Sequence, residues 1–417
     1  MADLFQKLVD NRGPLGQYAA LAHGYYAFPK LSGEIGSRMI FQGKERIVWS
    51  LNNYLGLANH PEVREADAKA AAEWGMAYPM GARIMSGETP YHEQLEQELA
   101  TYVGKERGLL INFGYQAVVS IIDSVLSRHD AVVYDKDSHG CIYDGVRLHI
   151  GKRFPFEHND FESFKKQLER ANEHVKETGG GILVISEGVF GMRGNQGILK
   201  EIASMKAQYD FRFFVDDAHG FGMLGKTGAG AVEAQGVTDA VDLYFSTFAK
   251  SMASIGGFVA GDRDIIDYLR YNMRSQIFAK SLPMPIVIGA LKRLELLRTK
   301  PELREKLWHI VNRLQGGLRA MGHDLGTTNS CVTPVYLKCS VDETGNLVKD
   351  LRENHGIFCS VVMFPMIPKG MILLRLIPTA AHTDEDVDLT LAAFKDIKEK
   401  LEAGAYVQKL EAIADMR

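Results

Sequence analysis

The chain has 417 residues, of which 46% are hydrophobic and 24% are charged, and its formal net charge at pH 7 is −4. This composition is typical of a globular protein and argues against a disordered, collagen-like or coiled-coil chain. The weak charge argues against nucleic acid as the main partner, and the length predicts one large α/β domain with a smaller appendage.

Cysteine spacing and hydropathy indicate the cellular compartment of the protein. The four cysteines contain no C-x-x-C pair, so we predict free thiols and no metal site. The N-terminal segment MADLFQKLVDNRG lacks the apolar core of a secretory signal. The most apolar stretch, residues 282–291, falls short of the ~18 residues that a membrane span needs. We therefore expect a cytoplasmic protein with at most peripheral membrane contact.

The predicted elements begin with two helices, over residues 61–75 and 91–104. Between about residues 108 and 260, short apolar runs alternate with amphipathic or polar segments, which predicts a mostly parallel sheet covered on both faces. These runs are GLLINFG, AVVYDKD, GILVISEG, FRFFVDD, LYFSTFAK and GGFVAGD. Such sheets bind ligands beyond the carboxyl ends of their strands.

The last third of the chain predicts a separate α+β region. Its elements are a long helix over 300–321, a strand over 331–338, a helix over 342–353, strands over 357–363 and 371–377, and a helix over 384–401. We expect three parts: an N-terminal arm over 1–55, a large domain over 56–297 and a small C-terminal domain over 298–417.

A lysine follows one apolar run directly, in the segment FSTFAKS. Lys250 is expected at the ligand-bearing end of its strand. A lone lysine is usually a surface charge, but in a partly desolvated pocket it can form a Schiff base with an aldehyde. Thr247, three residues earlier, could hold an anionic group beside it.

The run FFVDDAHG places Asp216 at another strand end, with His219 three residues beyond. An acid at this position can simply cap the next helix. Beside a Schiff-base lysine, Asp216 could face the ring nitrogen of pyridoxal phosphate, whose protonated ring stabilises an α-carbanion.

Three further candidates are weaker when taken alone. Gly114 and Tyr115 follow a strand, where a glycine lets a helix N-terminus face a phosphate, although the turn itself would explain the glycine. His139 follows AVVYD and could stack on a flat ring or cap a helix. Arg375, inside MILLRLIP, either pairs with a carboxylate of the protein or receives a substrate carboxylate.

Ordered motifs run through nearly the whole chain: N-N-Y-L-G-L, G-A-R-I-M-S-G, H-x-x-L-E, S-H-G-C-I-Y-D-G, E-G-V-F-G-M, V-D-D-A-H-G-F-G and T-F-A-K. In this order they resemble the α-oxoamine synthase family of fold type I pyridoxal phosphate enzymes. The resemblance implies a large α/β domain with a mostly parallel sheet, a smaller α+β domain, bound pyridoxal phosphate, and a homodimer with a shared active site.

The resemblance also implies roles around the cofactor ring. Lys250 is the residue that binds the cofactor covalently, and Asp216 pairs with the ring nitrogen. His139 stacks on the ring, and His219 contacts its 3′-oxygen.

The phosphate and the substrate have their own matching residues. By the same resemblance, Gly114, Tyr115 and Thr247 hold the phosphate. Lys280 and Ser281 match the segment that reaches the phosphate from the partner subunit. The amino-acid carboxylate is taken by Arg375, with Asn52 or Asn53 nearby.

The chain departs from the family pattern at two places. Gly191 stands where relatives have a serine, so a hydroxyl contact to the cofactor is missing. The loop 363–370 lacks a second arginine that some sphingolipid-forming relatives carry. Met363, Phe364, Met366 and Ile367 in this loop could line a channel for a long acyl chain, although ordinary packing explains them equally well.

Family members condense an amino acid with an acyl-CoA and release carbon dioxide. The chain most resembles bacterial members that join L-serine to palmitoyl-CoA, the first step of sphingolipid synthesis. Glycine with acetyl-CoA and alanine with a pimeloyl thioester stay open as substrate pairs. A catalytically silent subunit of a heterodimer is a further alternative, against which Lys250, Asp216 and the two histidines argue.

Overall fold

The computed structural model describes residues 3–411. The chain divides into two compact units, Asn52–Glu305 in one and Met1–Leu51 with Lys306–Arg417 in the other. The three-part division predicted at residues 55 and 297 stays a prediction. Within the described residues, no helix is long and apolar enough to cross a membrane.

Residues 3–51 form short helices and three strands of a small sheet. The helices are α1 (Leu4–Asn11), α2 (Gly13–Gly16) and α3 (Ala19–Ala22). The strands are β1 (Leu31–Ser32), β2 (Arg38–Phe41) and β3 (Lys44–Val48). β2 pairs antiparallel with both β1 and β3.

The unit Asn52–Glu305 opens with the two helices that the sequence predicts and continues with alternating strands and helices. The opening helices are α4 (Pro61–Trp74) and α5 (Pro90–Tyr102). The strands are β4 (Arg107–Ile111), β5 (Ala131–Asp135), β6 (Lys152–Phe156), β7 (Ile182–Glu187), β8 (Arg212–Asp216), β9 (Leu243–Thr247) and β10 (Gly257–Gly261). The other helices are α6 (Gly114–Val125), α7 (Gly140–Leu148), α8 (Phe161–Thr178), α9 (Leu199–Ser204), α10 (Ala231–Ala234), α11 (Arg263–Asn272), α12 (Arg274–Ile277) and α13 (Met284–Thr299).

Within the described chain these seven strands form one sheet in the order β4-β10-β9-β8-β7-β5-β6. The contiguous strands from β9 to β6 are parallel, whereas β10 runs antiparallel to β9 and β4. β5, β7, β9 and β10 are buried along their whole length. Apolar side chains at consecutive positions are what a strand covered on both faces requires. The mostly parallel sheet predicted from the sequence is therefore confirmed.

The remaining elements belong to the C-terminal part of the chain. The helices are α14 (Pro301–Ala320), α15 (Val341–Glu353) and α16 (Asp384–Glu402). The strands are β11 (Thr333–Leu337), β12 (Ile357–Phe358), β13 (Ser360–Val362) and β14 (Ile372–Leu376). Helices α15 and α16 begin with capping boxes, Ser340 with Glu343 and Thr383 with Asp386, which satisfy N–H groups that a helix start leaves unpaired.

The single strand predicted over residues 357–363 is wrong, because the chain divides at Cys359. β12 pairs parallel with β3, whereas β13 pairs antiparallel with β14 in a three-stranded sheet ordered β11-β14-β13. Both segments are extended, as the apolar pattern predicts. The apolar pattern does not specify which neighbouring strand supplies the hydrogen-bond partners. A break of one residue is enough for the two halves of the segment to join different sheets.

Candidate active site

The site lies where the parallel strands β5, β7, β8 and β9 end. Asp216 and Thr247 are the last residues of β8 and β9, and Glu187 is the last residue of β7. His139 follows β5 as the N-cap residue of α7, and Lys250 follows β9 in a tight turn. Parallel strands place their carboxyl ends at one edge of the sheet. The fold therefore brings together predicted residues that lie more than 100 positions apart.

Asp216 lies in a buried site with other titratable groups around it. Asp216 is 6% exposed, and burial raises the pKa of its carboxyl, while the nearby Lys250 and His139 oppose that rise. Burial also lowers the pKa of His139, against the pull of Asp216. This direction of the pKa favours the uncharged ring. Its stacking role stays a prediction.

Backbone rather than side chain shapes the predicted phosphate site. Gly114 is the first residue of α6, and a Cβ there would come within 2.9 Å of Thr247 Oγ1. A glycine is needed for this close approach between the helix start and the end of β9. Free N–H groups at the start of a 12-residue helix suit an anion such as a phosphate.

The side chains of Thr247 and Tyr115, beside Gly114, form hydrogen bonds within the protein. The Thr247 hydroxyl donates to the Gly256 carbonyl (2.9 Å) and accepts from the Ala249 N–H (3.2 Å). The Tyr115 hydroxyl donates to Asp144, and its ring centroid lies 6.0 Å from that of His139. The cradle at Gly114, with Lys250 and Asp216 at the neighbouring strand ends, fits pyridoxal phosphate. The individual contacts of Tyr115 and Thr247 with the phosphate stay predictions.

His219 is held on both edges of its ring. The Tyr54 hydroxyl lies 2.8 Å from His219 Nδ1, and both side chains are buried. On the other edge, a Cβ at Gly191 would lie 2.2 Å from His219 Nε2. The serine that the family pattern predicts at position 191 could not be added here without moving the imidazole. Sequence reasoning noted the motif N-N-Y-L-G-L but assigned no role to Tyr54.

Lys280 and Ser281 belong to a segment that is hydrogen-bonded to a nearby loop. The Ser281 hydroxyl donates to the Gly87 carbonyl (2.6 Å), and the Ser281 N–H donates to the Gly81 carbonyl (3.0 Å). The Asn112 side chain donates to the Lys280 carbonyl. Ser281 is only 3% exposed. Its contact with the phosphate of a partner subunit stays a prediction.

The predicted carboxylate-binding residues belong to different compact units of the chain. Asn53 is buried, and its Oδ1 accepts the Ala58 N–H (3.1 Å), while Asn52 is partly buried at the start of the unit. Arg375 lies on β14 in the other unit, in register with Pro334 of β11 and Ser360 of β13, and is 8% exposed. The roles of all three in binding a carboxylate stay predictions.

Glu187 was missed by the sequence reasoning, which read its motif E-G-V-F-G-M only as a family match. Its Oε1 accepts a hydrogen bond from the backbone N–H of His139 (2.5 Å). The signal that could have found it is a carboxylate closing an apolar strand, the same signal that identified Asp216.

Comparisons with known proteins agree with this geometry. The family model described as aminotransferase class I and II matches residues 44–394. The chain is 62% identical over 406 residues to the cysteate-C-fatty acyltransferase of Capnocytophaga ochracea, covering 97% of each chain. It is 35% identical over 367 residues to the serine palmitoyltransferase of Sphingobacterium spiritivorum, covering 88% of this chain and 90% of the relative.

A solved structure shows the same architecture. The serine palmitoyltransferase of Sphingomonas wittichii superimposes with a TM-score of 0.87 at 29% sequence identity, covering 97% of this chain and 100% of the other. Similarity at this level extends over both compact units of the chain.

Proposed function

Because the chain belongs to the α-oxoamine synthase family of fold type I pyridoxal phosphate enzymes, we propose that it joins L-cysteate to a fatty acyl thioester and releases carbon dioxide. Pyridoxal phosphate is its cofactor, and it is a pyridoxal phosphate-dependent acyltransferase. The observation that supports cysteate is the 62% sequence identity with the Capnocytophaga enzyme over 97% of this chain. The identity with the serine palmitoyltransferase of Sphingobacterium spiritivorum is only 35%.

The proposed reaction forms one carbon–carbon bond and releases a thiol and carbon dioxide. The α-carbon of cysteate forms a bond with the carbonyl carbon of the thioester, and the thiol leaves. The α-carboxylate leaves as carbon dioxide, and a proton takes its place on the α-carbon. The product is a 2-amino-3-oxoalkanesulfonate, which keeps the sulfonate of cysteate and gains the acyl chain.

Pyridoxal phosphate, when bound, withdraws electrons from the α-carbon of the amino acid. Asp216 would hold the protonated ring nitrogen, and the helix start at Gly114 would hold the phosphate. The Lys250 amine would act as the general base that removes the α-proton of the bound amino acid. Lys250 lies at a strand end next to Asp216, which supports this assignment.

His219 is assigned to the oxygen of the new ketone. When the Tyr54 hydroxyl donates to Nδ1, a neutral His219 ring carries its proton on Nε2. Nε2–H can then donate to the carbonyl oxygen as negative charge develops on it. Tyr54 thereby orients the ring and selects its tautomer.

L-serine with palmitoyl-CoA is the second candidate, as the sequence motifs indicate. It is supported by the serine palmitoyltransferases among the relatives and by the shared architecture. Serine and cysteate differ only in the group on the β-carbon, a hydroxyl in one and a sulfonate in the other. The same catalytic residues therefore serve either substrate.

Substrate competition tests the proposal. Purified protein is given equal L-cysteate, L-serine, glycine and L-alanine with equal palmitoyl-CoA and acetyl-CoA, beside a Lys250→Ala control, and the products are identified by mass spectrometry. We expect the aminooxoalkanesulfonate with the palmitoyl chain, absent from the control. A predominant 3-ketodihydrosphingosine product establishes the serine reaction instead, and aminoacetone, formed from glycine and acetyl-CoA, overturns both long-chain candidates.

A further inference from the structure

Glu187 is a buried carboxyl group that the proposed mechanism does not use. It is 4% exposed, and Asp216, its register partner on the neighbouring parallel strand, is 6% exposed. Adjacent strands lie about 4.8 Å apart, and residues in register point to the same face of the sheet. Two carboxyl groups therefore share one place with little water at the centre of the site.

The hydrogen bond from His139 to Glu187 ties the two neighbouring strand ends together. The backbone N–H of His139 donates to Glu187 Oε1 at 2.5 Å, and β5, which leads into His139, pairs with β7. His139 caps α7, so its N–H has no partner inside the helix. Without Glu187 this donor would lose its acceptor, and the backbone that carries the imidazole would lose its anchor.

The charges facing Glu187 come from three elements. Burial raises the pKa of Glu187 well above its usual value, and the negative charge of Asp216 on β8 raises it further. The His139 N–H and the Lys250 amine after β9 oppose the rise, while Asp135 on β5 adds to it. Lys250 and His139 both favour the ionised form of Asp216. Since two like charges repel each other here, these effects together favour the proton on Glu187 and the negative charge on Asp216.

We propose that Glu187 is a positioning residue of the cofactor site. Its uncharged carboxyl group anchors the backbone of His139, and the negative charge of the pair is left to Asp216. This inference rests on the proposed function only in requiring a bound pyridoxal phosphate, and it is independent of the substrates. A neutral carboxyl group can still accept the His139 N–H through its carbonyl oxygen. The charge beside the ring nitrogen is then set by Asp216 alone.

The inference is tested by pairing a variant that keeps the acceptor with one that removes it. Glu187→Gln is uncharged and retains an oxygen acceptor, whereas Glu187→Met has similar size but no oxygen. Ser186→Ala, on the preceding residue of the same strand, controls for general effects on β7. The readouts are the dissociation constant of pyridoxal phosphate for each apo-protein and the pH titration of the absorbance of the bound cofactor.

We expect Glu187→Gln and Ser186→Ala to bind pyridoxal phosphate within about threefold of the wild type, with an unchanged pH titration. Glu187→Met should bind about tenfold more weakly, because the His139 N–H is left without a partner. Equal weakening by Gln and Met would show that a negative charge is needed at position 187 and would overturn the inference, as would wild-type binding by Met. If Met does not fold, Glu187→Ala gives the same comparison. Product identity plays no part, so failure of the cysteate proposal leaves this test intact.

Discussion

Asp217, the second carboxylate of V-D-D-A-H-G, occupies a space that glycines leave open. A Cβ at Gly188 or Gly220 would lie 2.0 Å from its Oδ1, and a Cβ at Gly230 would lie 1.9 Å from its Oδ2. Oδ2 accepts from the Tyr244 hydroxyl (3.0 Å) and the Ala231 N–H (2.8 Å). Oδ1 finds no hydrogen-bond partner among the described residues. Burial raises the pKa of Asp217 to about 8, although these two donors oppose the rise.

This raised pKa predicts that stability falls with rising pH. The folded protein keeps the Asp217 proton up to about pH 8, whereas the unfolded chain releases it near pH 4. The contribution is therefore fully present below about pH 4 and is lost as the pH rises through 8. Asp217→Asn keeps one oxygen acceptor and does not titrate. Between pH 6 and 8 we expect the free energy of unfolding to fall by about 2 kcal/mol more in the wild type than in Asp217→Asn.

Urea unfolding at a series of pH values measures this difference. The exposed Asp210, shortly before β8, provides the control, because Asp210→Asn should follow the wild-type pH dependence. Parallel stability curves for the wild type and Asp217→Asn would contradict a buried, protonated Asp217.

Sequence alone identifies a site residue when its chemistry is unusual for its position. Lys250 and Asp216 each follow an apolar strand, where a charge needs a reason, and the structure places both at the same sheet edge. Glu187 and Tyr54 acquire their meaning from partners 48 and 165 positions away, His139 and His219. No local pattern encodes such a distance. The carboxylate at the end of an apolar strand marks Glu187 in the sequence, but only the fold shows which residues Glu187 and Tyr54 contact.

At the scale of elements, the motifs G-A-R-I-M-S-G and H-x-x-L-E are joined by an ion-pair network. Arg83, in the first motif, donates to Glu96 of α5 (2.9 Å) and to Glu88 (2.6 Å). Glu96 also accepts from the Leu110 N–H of β4 (2.8 Å) and from Arg270 of α11 (2.7 Å). The Arg83 and Glu96 side chains are each 5% exposed. Arg83 and Glu96 therefore connect a loop, a strand and two helices.

Arg83→Met should destabilise the protein by about 3 kcal/mol, because Glu96 then keeps a buried charge with fewer partners. Chemical unfolding at one protein concentration measures the loss. The control is Arg298→Met, whose ion pair with Glu98 is about one-third exposed and should contribute less than about 1 kcal/mol. Equal losses in the two variants would show that burial of the Arg83 network adds nothing.

The elements themselves were largely predictable, because periodicity and caps are local signals. Helix α16, expected over 384–401, is observed over Asp384–Glu402, and its capping box supplies the start signal. The small sheet formed by β1, β2, β3 and β12 was not predicted. β3 reads KERIV, a mixed pattern, and its partner β12 lies some 300 residues further along the chain. Long-range pairing of short strands leaves almost no trace in the sequence.

At the scale of the whole molecule, large apolar side chains are exposed around the segment that carries Ser281. Met80 is 75% exposed, Met85 is 83% exposed and Phe278 is 84% exposed. All three lie on or next to the loop and segment that the Ser281 hydrogen bonds hold together. Exposed apolar groups of this size mark interaction surfaces. A second copy of this chain is the occupant that the family resemblance predicts.

A shared site predicts that two inactive variants restore each other. Lys250→Ala lacks the lysine that we propose binds the cofactor, and Ser281→Asp places a negative charge where the partner's phosphate is expected. In a mixed dimer, one site combines Lys250 of one subunit with Ser281 of the other and is intact. An isolated mixed dimer should therefore show about half of the wild-type activity per subunit, because one of its two sites is intact.

Light scattering fixes the oligomeric state first, with about twice the chain mass of 46.4 kDa expected for the wild type and a single chain mass for Phe278→Asp. Differently tagged variants are then exchanged, and the mixed dimers are isolated through both tags before activity is measured. Each variant exchanged with itself is the control and should stay inactive. Isolated mixed dimers without activity would show that Ser281 does not complete the partner's site, whereas recovered activity requires one site to be built from two chains.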